Sequence, residues 1–446
     1  MSNEKNILTV KGVQELLEKL QIDELKDVTI EGDLEIEIEP SAAGVTPEMM
    51  RSITVANETR QLLQHFKNLL GMEGISVLGA PTVQPVAPIK PAPIIAKFSP
   101  LGKLIERKFN VKKDEWKSKI EEVTLGATRA DGGTRGHTIT IGGEVCMPFY
   151  PDAQNPHRPI VVLDTFDEPI PLAKAVKGFY GDVMEDPCDW ARKNVKEFGA
   201  DMITIHLHST HPLEKNTPTK EAVRTIEDIL QAVDVPIVIG GSGDPTKDPE
   251  VLEAAAEVAD GERCMIASAN LDMDWERIAN AAKKYGHNIL SWTSLDMNNQ
   301  RELDRKIMKI VGMPRDRIII DPTTAALGYG LDYAYTNMER IKIAGLKGDD
   351  ELNFPMSSGT TNAWGAREAW MKESPMSEDS DWGAREYRGP LWEVITGMTL
   401  AIAGVNMFMM MGPIAVHVLK NMTQTLMGLV EDKDHEIDIS NWIREV

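Results

Sequence analysis

Ile160-Val-Val-Leu-Asp164, Met202-Ile-Thr-Ile-His206 and Pro236-Ile-Val-Ile-Gly240 are the first of eight short apolar runs between Pro159 and Pro413. Cys264-Met-Ile-Ala-Ser268, Asn288-Ile-Leu-Ser-Trp292, Ile318-Ile-Ile-Asp321, Asn353-Phe-Pro-Met-Ser357 and Ile402-Ala-Gly-Val-Asn406 complete the series. Short, continuous, β-branched runs suit strands buried on both faces, as in a parallel sheet. Between them the period changes to that of a helix. Val223, Ile226, Ile229, Leu230 and Val233 share one helical face, as do Trp275, Ile278, Ala279, Ala282 and Tyr285. Asp248-Pro249 reads as an N-cap with proline at the first helical position, and Gly312 before Pro314 as a helix end. Eight such βα units in roughly 250 residues predict a (β/α)8 TIM barrel. Its site is then expected at the carboxyl ends of the strands.

Composition narrows the function. The 446 residues carry 48 basic and 69 acidic side chains, a net charge of -21, which argues against a nucleic-acid partner. Three cysteines, Cys146, Cys188 and Cys264, stand far apart and suit reduced thiols in a cytoplasm. The start, Met1-Ser-Asn-Glu-Lys5, has no apolar signal region. From Val394 to Leu419 no Asp, Glu, Lys or Arg occurs, a length that could span a bilayer. Gly397, Gly404, Asn406, Gly412 and Pro413 punctuate it, so a helix end, the eighth strand and the last helix are expected there instead of a membrane span.

Outward from the barrel, residues 1–80 read as a small α+β arm for assembly, with a hairpin around Gly32-Asp33. Residues 81–96 form a Pro-rich linker whose Pro81, Pro85, Pro88, Pro91 and Pro93 favour an extended spacer of roughly 40 Å. Residues 97–158 hold pre-barrel strands, Val123-Thr-Leu-Gly126 and Thr138-Ile-Thr-Ile-Gly-Gly143, suited to plug or cover the barrel's bottom, and the barrel itself takes 159–446.

Several groups at strand ends bear on chemistry. His206, His208 and His211 form H-x-H-x-x-H, a pattern that serves either a barrel metal site or hydrogen bonding at the mouth. Later strands lack matching ligands, so no metal is expected. Gly240-Gly-Ser-Gly243 and Ser357-Ser-Gly-Thr-Thr-Asn362 offer backbone N–H groups for phosphate or amide edges, or simply turns. Asp164, Asn270, Asp321 and Asn362 end strands with amides and carboxylates that either cap loops or read the edge of a pterin. Val405-Asn-Met-Phe-Met-Met-Met-Gly-Pro413 places methionines at the eighth strand, as core or as an adaptable platform for a flat cofactor. No nucleophile sits beside an obvious base.

At these residues the chain resembles a family. Ala127-Thr-Arg-Ala-Asp-Gly-Gly-Thr-Arg-Gly136, Pro236-Ile-Val-Ile-Gly-Gly-Ser-Gly243 and Asp321-Pro-Thr-Thr-Ala-Ala-Leu-Gly-Tyr-Gly330 resemble the delta subunit of the acetyl-CoA decarbonylase/synthase complex, the small subunit of the corrinoid iron–sulfur protein. Phe354-Pro-Met-Ser-Ser-Gly-Thr-Thr-Asn-Ala-Trp-Gly-Ala-Arg-Glu-Ala-Trp370 and Phe408-Met-Met-Met-Gly-Pro413 extend the likeness. The long arm is similar to the archaeal-type form.

The resemblance implies a barrel paired with a larger gamma subunit, which carries the corrinoid and a [4Fe–4S] cluster. The pair would carry a methyl group between a tetrahydropterin and the nickel site of acetyl-CoA synthase. Three cysteines cannot supply the four thiolates of such a cluster, so none is expected in this chain. The corrinoid contact, shared at the interface, is expected on Asp321, Thr323, Thr324, Gly359, Thr360, Thr361 and Asn362, with Asn270 and with Met409, Met410 and Met411 against the ring. No catalytic and no metal-ligating residue is expected. The other reading is a pterin-dependent methyltransferase barrel that acts directly on the corrinoid.

Overall fold

The computed structural model describes residues 115–148, 155–375 and 382–427, all within one compact unit, Asn110–Val446. The arm and linker read from the sequence lie outside the described residues.

An antiparallel pair, β1 (Glu122–Leu125) and β2 (Ile139–Gly142), precedes eight parallel strands. These are β3 (Ile160–Phe166), β4 (Met202–His206), β5 (Ile237–Gly240), β6 (Met265–Ala269), β7 (Asn288–Trp292), β8 (Ile318–Asp321), β9 (Ser357–Gly359) and β10 (Met407–Met410). They neighbour one another in the order β8-β7-β6-β5-β4-β3-β10-β9. The final seam, β8 to β9, is short. It is made by an Ile320–Met356 bridge and by a 3.0 Å bond from Ile320 N to Pro355 O. Ten helices accompany the strands among the described residues: α1 (Lys174–Tyr180), α2 (Pro187–Lys196), α3 (Thr219–Ala232), α4 (Asp248–Val258) and α5 (Trp275–Lys284), then α6 (Met297–Lys306), α7 (Leu331–Leu346), α8 (Arg367–Trp370), α9 (Arg385–Ile402) and α10 (Pro413–Leu426). The molecule is a TIM barrel.

Strand periodicity sorts the core into two layers. Val161, Leu163, Ile203, Ile205, Ile237, Ile239, Ile318 and Ile320 face the helices. Their alternates Ile160, Val162, Met202, Val238, Met265, Leu290, Ile319 and Met407 fill the barrel, joined by Val123, Leu125 and Ile141 from the β1–β2 pair. The pair therefore closes the amino-terminal end with apolar side chains. Fully burying each such side chain is worth about 1.5–3 kcal/mol. The Arg129-to-Gly136 turn is fastened there too. Arg135, 3 % exposed, bonds Glu262 at 2.8 Å and the α3 carbonyls of Leu230 at 2.6 Å and, just beyond, Val233 at 2.7 Å. A guanidinium with its five donors suits the unpaired carbonyls at a helix end.

Three local expectations are corrected. The seventh strand is Ser357–Gly359, not Asn353–Ser357, of which Met356 makes only an isolated bridge to Ile320. The eighth strand is Met407–Met410, not Ile402–Asn406, because Ile402 completes α9 and Gly404 turns the chain at φ +96°. A Cβ on Gly404 would come 2.6 Å from Lys342 Cε, so the turn needs glycine for space as well. Asp248 is not the cap of α4 but its first residue, and its carboxylate reaches back to the preceding loop. The uncharged stretch resolves into the end of α9, β10 and the start of α10. No helix among the described residues is long and apolar enough to cross a membrane.

Candidate functional site at the barrel mouth

The inward alternates that fill the barrel become polar at its carboxyl end. Continuing from Val162, Met202 and Ile319, the next inward positions are Asp164, Thr204 and then His206, and Asp321. The mouth is thus polar because of which side chains follow the apolar layer on each strand, and rigid because strand ends carry them.

Asp164 is central to the β3 side and only 2 % exposed. Its Oδ2 accepts from the Thr361 hydroxyl, and His206 Nε2 lies 3.2 Å from its Oδ1. That contact is at hydrogen-bond distance but poorly aligned, and Oδ1 has no better donor among the described residues. His206 stacks on Phe166 with ring centroids 4.9 Å apart. His208 instead bonds Glu168 at 2.8 Å, and Glu168 also meets Lys215 at 2.9 Å. The two histidines therefore serve different carboxylates, and no group of three or more metal-ligating side chains gathers among the described residues.

Asp321 ends β8. Its Oδ1 accepts from Thr323 N at 2.9 Å, a turn that holds Thr323 at φ +69°. Burial pushes the Asp321 carboxyl up to about 7, and that one backbone bond only partly offsets it. Thr323 donates to Thr293 O at 2.8 Å. Asn362 is exposed, and its Nδ2 donates to Thr324 O at 2.9 Å. Thr324, Ser358 and Thr360 share hydroxyl bonds of 2.8 Å below the surface. Gly359 lies partly open beside Asn362. Asn270, after β6, accepts from Asp272 N at 2.8 Å.

The methionines do not share one surface. Met409 faces the mouth and is partly exposed, packed against the barrel filling. Met410 alternates outward and is fully buried under the helices, and Met411 sits with Tyr180, Trp190 and Trp364 at 8 % exposure. Period two along a strand forces this split. The Gly240–Gly243 loop is also changed from expectation. Asp248 takes Ser242 N at 2.9 Å and Gly243 N at 2.8 Å, leaving those donors engaged by the chain's own carboxylate.

One residue of this end escaped the sequence reading. Glu393 on α9 is fully buried and accepts from Met411 N at 2.7 Å and Gly412 N at 2.9 Å. Burial pushes its carboxyl up to about 8. A Cβ on Gly412 would lie 2.5 Å from Glu393 Oε2, which explains the glycine. A lone acid just before the uncharged stretch at Val394 was the available signal.

The family model for the CO dehydrogenase/acetyl-CoA synthase delta subunit matches residues 122–373. The acetyl-CoA decarbonylase/synthase complex subunit delta of Methanosarcina mazei is 56 % identical over 438 residues, 98 % of each chain. That of Archaeoglobus fulgidus is 56 % identical over 434 residues, covering 95 % of this chain and 96 % of its own. The Methanocaldococcus jannaschii subunit is 49 % identical over 358 residues, 78 % of this chain and 86 % of its own. Among solved structures, a dihydropteroate synthase of Xanthomonas albilineans aligns with a TM-score of 0.41 and 16 % identity over 61 % of this chain and 94 % of that one. On the strength of the family match and these relatives, the chain belongs to the delta subunits of the acetyl-CoA decarbonylase/synthase complex.

Proposed function

We propose that this chain pairs with the gamma subunit of its complex, works in the cytoplasm, and covers with its barrel mouth the corrinoid that gamma carries. In this role it helps hold the assembly, acetyl-CoA synthase included, while a methyl group passes between a tetrahydropterin and the synthase's nickel site. The observation that carries the reading is the mouth itself. It is a rigid ring of hydrogen-bonding groups with one methionine face at Met409, opposite an end sealed by β1 and β2.

The residues fit such a group as a docking face. Thr204 Oγ1 is buried at 1 % exposure without a partner among the described residues, beneath a partly exposed His206, so the mouth holds hydrogen-bonding capacity that those residues do not use. Thr361, Asn362 and Asp321 would hold the corrin's edge and Met409 its apolar surface. The bound corrinoid supplies the cobalt chemistry; the chain's residues bind, orient and exclude water. Small polar groups and a single methionine also suit a contact that must open again.

The test replaces Thr361 and Asn362 together with leucine in the reconstituted pair. Gamma binding should persist while the corrinoid's visible absorption and the methyl-transfer rate both change. An unchanged spectrum and rate, with gamma bound, would move the contact elsewhere. One observation favours the methyltransferase reading: Asp321, pushed up to about 7, is poised to exchange a proton in the mouth. Methyl transfer from a methyl-pterin to free cobalamin by the isolated chain would establish that reading; none is expected.

A further inference from the structure

One stretch has no role at the mouth. Between Val394 and Leu419 no Asp, Glu, Lys or Arg occurs. Burial in the barrel accounts for β10 and for the inner faces of α9 and α10, but not for their outer faces. Other helices of the ring turn charge outward. α3 exposes Glu221, Arg224, Glu227 and Asp228, and α5 exposes Glu276, Arg277, Lys283 and Lys284. α9 instead repeats Leu391, Ile395, Met398 and Ile402 at i, i+4, i+7 and i+11 along its outer face, with Ile395 40 % and Ile402 43 % exposed.

The apolar face continues onto α10. A Cβ on Gly397 would come 2.8 Å from Leu419 Cδ2, so glycine lets the two helices approach closely. Lys420 Nζ turns the other way, to Gly199 O at 2.8 Å and Asp201 at 2.9 Å. Val418 and Met422 stand about half a turn from Lys420, on the flank toward α9, and Met422 is 39 % exposed. Contiguous exposed apolar surface of this kind marks a contact.

A segment suited to cover it follows α10 in the chain. Residues 428–446 lie outside the described residues. Within them Ile439, Trp442, Ile443 and Val446 recur at i, i+3, i+4 and i+7, the spacing of one helical face, and Asp438 before them is a residue type that caps helices. From Ile439 to Val446 is the same seven-residue step as from Ile395 to Ile402, about 10 Å along a helix. α9 and α10 both end at the amino-terminal end of the barrel, α9 just before the Gly404 turn into β10 and α10 beyond Lys420, which reaches the residues before β4. From there residues 428–438 span at most roughly 35 Å, well over the ~10 Å between packed helices. So short a tether keeps the segment at a local concentration on the order of millimolar, ahead of any second molecule.

We propose that residues 437–446 of this same chain lie as an amphipathic helix on the α9–α10 face, with Trp442 and Ile443 set against Met398, Ile402 and Met422. A tryptophan in an apolar groove is the kind of anchor that carries most of such a contact.

The test follows amide hydrogen exchange of residues 437–446 in the full-length chain. Exchange should be about tenfold or more slower than in a free peptide of the same sequence, at low and high protein concentration alike and without gamma. Ile395→Glu with Ile402→Glu charges the exposed face and should return the segment to the peptide's rate, while the amides of the barrel strands stay protected. Trp442→Ala, which alters no residue of the barrel, should do the same from the other side of the contact. Peptide-like exchange in the parent overturns the inference. Protection that grows with protein concentration gives the face to a second copy, and protection that appears only when gamma is added gives it to that subunit. Protection that survives both the α9 substitutions and Trp442→Ala places the segment elsewhere. Each of these three results also overturns it.

Discussion

The two ends of the barrel are built on opposite terms. At the amino-terminal end the strands are filled by Val123, Leu125 and Ile141, and the charges beneath them are answered. Lys342, 1 % exposed, lies 3.3 Å from Glu144 Oε2, an ion pair without a well-aligned hydrogen bond, and donates to Asn406 Oδ1 at 3.1 Å, while Asn406 Nδ2 donates to Glu144 Oε1. At the carboxyl end Asp164, Thr204 and Asp321 are equally buried, and each keeps at least one oxygen without a well-aligned donor among the described residues. The buried ammonium at the amino-terminal end is met by a carboxylate of the chain, whereas Thr204 Oγ1 and Asp321 Oδ2 at the carboxyl end meet neither a charge nor a donor among the described residues; buried polar atoms left so lower stability and are retained where something else uses them. The contrast separates the end that holds the fold from the end proposed to meet a ligand.

The largest expected effect breaks the bottom. Glu144→Ala leaves the Lys342 ammonium buried without its carboxylate and should destabilise the chain by about 3–5 kcal/mol in urea unfolding. Burial already lowers the Lys342 pKa, opposed by Glu144, so the loss should ease at high pH, where the amine can neutralise. A loss below about 1 kcal/mol would mean that the network is not the clamp described.

An intermediate effect, of opposite sign, is expected at the mouth. The Asp321 carboxyl rises from its ordinary 3.8 to about 7 in the folded chain. The fold therefore keeps a proton that the unfolded chain has lost, and stability falls as pH rises from about 4 to about 7. Asp321→Asn removes this contribution to the slope. Above about pH 7 the variant should be the more stable protein, by an amount on the order of 2–4 kcal/mol. Parallel pH–stability curves for parent and variant would contradict the assignment.

The smallest effect concerns Asn362. It is exposed and makes one bond to Thr324 O, so Asn362→Leu should shift stability by no more than about 0.5 kcal/mol. A thermal melt that drops by many degrees would make Asn362 part of the scaffold and weaken its reading as a ligand contact.

The fold was legible because period and length carry it. Ile203 and Ile205 face the helices while Met202 fills the barrel, as alternation requires, and Ile226 and Ile229 lie on the buried face of α3. The eighth strand was misread because Ile402 to Asn406 is as apolar as a strand, and only the turn at Gly404 decides it. The mouth was legible in kind but not in detail. Sequence names Thr361 as a donor, but Asp164, which takes its hydrogen, is 197 positions away. The methionine run could not reveal that Met410 turns outward until its strand was known. His206 was weighed as a metal ligand because its pairing with Asp164 has no local signal.

The most direct test of the mouth as the corrinoid face is amide hydrogen exchange on the full-length chain bound to gamma, with gamma either loaded with corrinoid or empty. Protection that depends on the corrinoid should fall on the loops after β8 and β9, around Thr323 and Asn362, and on the β4 end at His206. Corrinoid-dependent protection confined to the β1–β2 end, with the loops after β8 and β9 exchanging alike in both states, would contradict it.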